Sequence, residues 1–158
     1  AINQLANILR NSLVTEKKGL TKFGDELKVV RDYLGLESIR FEERLKIELE
    51  IDPNSKNFLV PPLMIQTLVE NGVKHGISKL TEGGLIQLKT KVENGKLNIN
   101  IRNRGQYHLN GHKRRGLGLI NTTQRLKLLY GNEARFAISN ENDNFVLTEI
   151  TIPHLHTT

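Results

Sequence analysis

Apolar positions recur at helical spacing over residues 1–14 (Ile2, Leu5, Ile8, Leu9, Leu13), and the run breaks over 16–19. A second helix is expected over 21–41, with Phe23, Leu27, Val30, Leu34 and Ile39 as its stripe. Residues 45–51 alternate strictly between apolar and polar, the period of a half-buried strand, and Asp52-Pro53-Asn54 ends it as a turn. A third helical run follows Pro61-Pro62 and reaches Ile77, since proline is tolerated in a first helical turn. Two further alternating stretches, 85–92 and 96–102, flank Glu93-Asn94-Gly95, and Asn-Gly in that setting is a strong hairpin signal. Residues 103–116, polar and rich in glycine, read as a loop. Residues 117–130 read as a helix that Gly131 stops. Residues 135–139 and 145–152 form a last strand pair around 140–143, and the tail from His154 to Thr158 is expected to be loose. No repeat or low-complexity linker interrupts the series, and the one candidate boundary lies near 42–44.

The third helical run carries the densest chemistry. At 100° per residue, Ile65, Leu68, Val69, Gly72, Val73 and Gly76 share one face, and Thr67, Glu70, Asn71, Lys74 and His75 share the other. The first face suits packing on a sheet, with two glycines allowing close approach. The second gathers an acid, a neutral amide, an ammonium and an imidazole within about one turn, a set suited to a metal–phosphate ligand. A plain solvated face with an incidental Glu–Lys pair is the competing reading. Downstream, Arg114-Arg115-Gly116-Leu117-Gly118-Leu119-Ile120-Asn121 reads as a glycine-rich turn running into a helix. Glycine there lets backbone approach phosphate without a Cβ, and the helix behind it offers free N–H groups and a positive dipole end.

Composition narrows the field. The chain has 158 residues, enough for one domain with a real core, and no cysteine, which excludes disulfides and thiolate metal sites. No apolar stretch approaches the roughly 18 residues that span a bilayer. The chain opens at Ala1 in mid-pattern, so a fragment of a longer protein is expected. The formal net charge of +6 fits either surface solubility or an anionic partner, and it is partly local, at His112-Lys113-Arg114-Arg115. Nucleic acid is the weaker partner, because aromatic residues make up 5% of the chain and do not interleave with the basic ones.

Together these segments resemble the catalytic ATP-binding domain of a sensor histidine kinase, in its LytS-like branch. Residues 60–76, Val-Pro-Pro-Leu-Met-Ile-Gln-Thr-Leu-Val-Glu-Asn-Gly-Val-Lys-His-Gly, look like that branch's N box. Residues 116–126, Gly-Leu-Gly-Leu-Ile-Asn-Thr-Thr-Gln-Arg-Leu, look like its second glycine box, and 27–41 resemble the helix that precedes the domain. The resemblance implies an α/β (α+β) two-layer sandwich of the Bergerat type. A mixed, mostly antiparallel sheet would be covered on one face by helices, with residues 1–43 belonging to the dimerisation and phosphotransfer region and 44–158 to the catalytic domain. It implies ATP and Mg2+ as cofactors, Asn71 as metal ligand and Glu70 as general base. Lys74, His75, Asn103, Gly105, Arg115, Gly116, Leu117, Gly118, Leu119 and Arg125 would line the nucleotide. Arg115, with Arg114, is open to phosphate contact or to a solvated charge run, and Arg125 to nucleotide contact or to capping of helix charge. The implied partners are ATP or ADP and a response regulator, with a homodimer in the full-length protein. The implied location is the cytoplasmic side of a bacterial inner-membrane protein.

Two departures qualify the resemblance. The family's first glycine box is Asp-x-Gly-x-Gly, whose Asp accepts the adenine amino proton. Here the stretch is Asn103-Arg104-Gly105-Gln106-Tyr107, so the acceptor is uncharged and the second glycine is gone. The branch's Pro-His-Phe-Leu-Phe-Asn-like phosphoacceptor motif does not occur in the chain and is expected upstream of it. The rival readings are a pseudokinase-like nucleotide-binding module and an ATPase of the same superfamily.

Overall fold

The structure, a computed structural model, describes residues 19–105 and 113–154; over 113–119 and at Lys79 the backbone alone is described. The helix expected over 1–14 lies outside the described residues. The first elements are a short strand β1 (Thr21–Lys22) and helix α1 (Phe23–Phe41). Phe23, Leu27, Val30 and Leu34 are buried as the stripe required, but Ile39 is 76% exposed. It stands five residues beyond Leu34, about 140° round the helix. Phe41, two turns from Leu34, is the residue that closes the stripe.

Strand β2 (Leu45–Glu50) follows, then β3 (Leu59–Val60), helix α2 (Met64–His75), β4 (Gly84–Glu93) and β5 (Lys96–Arg104). Helix α3 (Lys113–Tyr130) and strands β6 (Arg135–Asn140) and β7 (Phe145–Pro153) complete the chain. The main sheet has the order β2-β4-β5-β7-β6, with β2 parallel to β4 and every other pair antiparallel. β1 pairs with β3 and ties the entry of α1 to the chain just before α2. Asn94 and Gly95 both take positive φ (54° and 75°), the twist that a two-residue hairpin turn needs.

Alternation assigns the faces. Ile86 and Leu88 of β4, Leu97, Ile99 and Ile101 of β5, and Ile150 and Ile152 of β7 point inward and are buried. Helices α1 and α2 cover them, and the core they share also takes Leu126 and Tyr130 of α3. The opposite face is polar, with ion pairs such as Lys89–Glu50 at 3.3 Å and Arg102–Glu141 at 2.8 Å.

Four boundaries differ from the sequence reading. α2 opens after the prolines as expected, at Met64 behind Leu63 with its left-handed φ of 65°, but stops at His75, short of Ile77. β5 continues through Asn103 and Arg104, because its pairing with β4 and β7 extends into the stretch read as a loop. α3 begins at Lys113, so Gly116 lies inside the helix and not in a turn before it, and Gly118 is in its second turn. His154, read as loose tail, packs edge-on against Phe58 with ring centroids 4.8 Å apart. Among the described residues no helix is long and apolar enough to cross a membrane.

Candidate functional site

α2 meets the sheet at the end of β5, and its two glycines set the distance. By alternation Asn103 continues the inward row of Leu97, Ile99 and Ile101, and it is 5% exposed. A Cβ on Gly72 would lie 3.1 Å from the Asn103 side-chain oxygen. A Cβ on Gly76 would lie 2.5 Å from both the Arg104 carbonyl oxygen and the Asn103 amide nitrogen. Any side chain at 76 would therefore displace backbone. Asn103 Nδ2 donates to the Arg104 carbonyl at 3.1 Å. Gly105 follows at φ 141°, its N–H donating to the Asn144 carbonyl at 2.8 Å, and a Cβ there would sit 2.9 Å from the Gly76 Cα. Gly72, Gly76, Asn103 and Gly105 thus form one contact, although the two pairs lie far apart in sequence.

The outer face of α2 is arranged as the periodicity required. Glu70, Asn71 and His75 are half-buried and Lys74 is exposed, while Ile65, Leu68, Val69 and Val73 are buried. Lys74 and His75 fall in the last turn, where positive charge suits the helix dipole. Glu70 makes its hydrogen bond within α2, and its charge is felt by Tyr33 of α1. Its Oε1 accepts from Gln66 Nε2 at 2.9 Å. Burial, with the carboxylates of Glu37 and Glu70 alongside, pushes the Tyr33 phenol on α1 up to about 12.

Arg125 sits elsewhere. Its Nη1 donates to the Pro62 carbonyl at 3.0 Å, at the opposite end of α2 from Lys74 and His75. That bond was not among the readings open for it. The backbone places Arg115, Gly116, Leu117, Gly118 and Leu119 in the first turns of α3.

One residue escaped the sequence reading. Glu26 of α1 is 3% exposed, and its Oε2 accepts the Leu63 N–H at 2.6 Å, just ahead of α2. Its Oε1 has no hydrogen-bond partner among the described residues. Burial pushes this carboxyl up to about 7, against the pull of the Leu63 N–H, the Arg125 guanidinium and the Gln66 N–H. A signal was present: Glu26 lies between Phe23 and Val30 on the apolar stripe, where an acid needs a partner.

The donor set bears on the metal. Among the described residues no three His, Cys, Asp or Glu side chains gather to hold an ion. A dedicated all-protein cage is therefore missing from these residues. A half-buried amide oxygen at Asn71 fits Mg2+, which keeps several waters and leans on substrate phosphates.

A family model described as histidine kinase matches residues 1–45. The chain is 32% identical over 156 residues to the sensor histidine kinase YesM of Bacillus subtilis, covering 96% of this chain and 27% of that protein. It is 32% identical over 143 residues to the sensor protein LytS of Staphylococcus haemolyticus, covering 83% of this chain and 24% of that protein. The chain therefore spans about a quarter of the length of these relatives. Among solved structures, the histidine kinase domain of the Erythrobacter litoralis blue-light activated kinase superposes with a TM-score of 0.65 at 16% identity, covering 93% of this chain and 70% of that one. The catalytic domain of the histidine kinase ThkA gives 0.63 at 15% identity, covering 85% and 95%. With α2 seated on the end of β5, and with relatives of this kind along nearly its whole length, the chain resembles the catalytic region of LytS-like sensor histidine kinases.

Proposed function

We propose that this domain binds Mg–ATP between the outer face of α2, the Asn103–Gly105 end of β5 and the first turns of α3. In the full-length protein it would phosphorylate a histidine upstream of the present chain, for transfer to a response regulator. The carrying observation is the seating of Gly72 and Gly76 on Asn103 and Gly105, which brings α2 against the segment that would read adenine. Asn71 would contribute its amide oxygen to the metal, and Lys74 and His75 would meet phosphate charge. Magnesium, when bound, neutralises phosphate charge and orients the reacting group. Asn103 would accept the adenine amino proton through its carbonyl oxygen. Glu70, whose charge reaches Tyr33 of the leading helix, would act as general base on the acceptor that the upstream helices carry. Residues 1–43 would be the end of the dimerisation and phosphotransfer region of a homodimer, with the domain on the cytoplasmic side of a bacterial inner membrane. The family match over 1–45 supports that division.

A protein extended upstream to include the acceptor histidine tests the catalytic half. Incubated with labelled ATP, it should acquire acid-labile, alkali-stable phosphate. Glu70→Gln should remove most of that labelling, by about 10²–10⁴-fold, while leaving Mg–ATP affinity within about tenfold. The uncharged Asn103 favours a second reading, a pseudokinase that binds nucleotide without turnover. That reading wins if the native extended protein binds Mg–ATP and stays unlabelled even with its regulator and stimulus supplied.

A further inference from the structure

The start of α2 is assembled from other elements. Its first turn contains no acid, and Leu63, the residue before it, makes no side-chain cap. The free N–H groups of a helix start need acceptors. Here the acceptor is Glu26 of α1, whose Oε2 takes the Leu63 N–H at 2.6 Å. The adjacent Pro62 carbonyl takes Arg125 of α3 at 3.0 Å. Leu63 is held at φ 65°, a conformation that an L-residue adopts only when its surroundings impose it. Arg125 is also the charged group whose field Glu26 feels, and the start of α2 offers the carboxylate the N–H groups of Leu63 and Gln66.

Two polar side chains, one buried and one exposed, thus converge on two successive residues, Pro62 and Leu63. They come from the helix that leads into the domain and from the helix that carries the glycine box. α2, which they fix, carries Glu70 and Asn71. We propose that Glu26 is a positioning residue for nucleotide binding: through Leu63 and Arg125 it sets where α2 begins relative to α1 and α3. Displacement of α1 would then be felt at the nucleotide through this junction. An apolar residue of similar volume would fill the same space without the cost of burying a carboxylate. It would leave the Leu63 N–H without its acceptor and the start of α2 free to shift.

The proposal rests on the nucleotide reading above, and the test separates the two. The 158-residue chain and its Glu26→Gln and Glu26→Leu variants are titrated with Mg–ADP by calorimetry, with unfolding measured in parallel. Glu26→Gln keeps an acceptor oxygen and drops the charge, so its affinity should fall about threefold. Glu26→Leu drops both and should fall tenfold or more, roughly, while unfolding at a temperature close to native. A role confined to stability would move unfolding and leave affinity alone, so both variants binding within about twofold of native overturns the proposal. Should Glu26→Leu fail to fold, the Gln variant decides: weakened binding supports positioning and unchanged binding overturns it. A native chain that takes up no Mg–ADP removes the nucleotide reading and this proposal together, an outcome unlike native binding with indifferent variants.

Discussion

The two ends of α2 are fixed by opposite means. At its C-terminal end Gly72 and Gly76 press on Asn103, Arg104 and Gly105, and the contact is one of shape. At its N-terminal end Glu26 and Arg125 hold the Leu63 N–H and the Pro62 carbonyl, and the contact is one of charge and hydrogen bonding. Shape is indifferent to pH and, where backbone meets backbone as at Gly76, intolerant of a single added methyl. A buried carboxylate tolerates changes of shape and responds to protons. The helix that carries Glu70 and Asn71 therefore has one rigid anchor and one adjustable anchor.

The largest effect is expected at the rigid end. Gly76 has a negative φ of −107°, so Gly76→Ala does not demand a left-handed backbone. The added methyl meets backbone oxygen at 2.5 Å, and neither strand nor helix can yield cheaply. A stability loss of about 3 kcal/mol is expected by denaturant unfolding. A loss below about 1 kcal/mol would show that the contact is looser than drawn.

The adjustable end should reveal itself through pH. Glu26 has a folded pKa near 7 against an ordinary 4.5, so between these values the folded state holds more protons than the unfolded one. Stability from this group is complete below about 4.5 and is lost as pH rises to about 7. The native chain should lose roughly 2–3 kcal/mol across that window on this account. Glu26→Gln should flatten that part of the curve. Superimposable stability profiles for the two proteins would remove Glu26 as the titrating group.

How far these anchors could be read in the sequence differs between them. The face of α2 followed from periodicity, and the two glycines on its packed side announced close approach. What they approach is hidden, because the polar, glycine-rich pattern from Asn103 onward reads as a loop. The ladder that extends β5 to Arg104 depends on partners in β4 and β7, which a local pattern does not see. The polar anchor left a fainter trace, one acid on an apolar stripe, and its partner Leu63 lies 37 positions away. Ile39 misled for the reverse reason: an apolar residue near a stripe need not belong to it. The start of α3 lies four residues earlier, because Lys113, Arg114 and Arg115 extend the helix backwards through Gly116, a residue whose local pattern suggests a turn.

A smaller effect separates reading from packing at Asn103. Asn103→Asp should preserve or strengthen ATP binding, and Asn103→Leu should weaken it by about 1–3 kcal/mol, the cost of leaving a buried donor on the base without an acceptor. Equal affinity of the native chain for ATP and GTP would show that this position does not read adenine. The smallest effect is expected at Gly72, where an added methyl would lie 3.1 Å from a side chain and not from backbone. Gly72→Ala gains about 0.5–1 kcal/mol of helix preference, which should offset most of that crowding. Net stability within about 1 kcal/mol of native is expected by the same unfolding measurement. A loss as large as that of Gly76→Ala would mean that Asn103 is held as firmly as the backbone beside it.

The central claim is that the outer face of α2 binds nucleotide through magnesium held at Asn71. Calorimetric titration of the native chain and of Asn71→Ala with ADP, each in magnesium and in EDTA, tests it most directly. The account predicts saturable binding by the native chain that EDTA weakens, and loss of that magnesium-dependent part in Asn71→Ala with folding retained. It is contradicted if the native chain takes up no nucleotide, or if Asn71→Ala binds as tightly as native with the same sensitivity to EDTA.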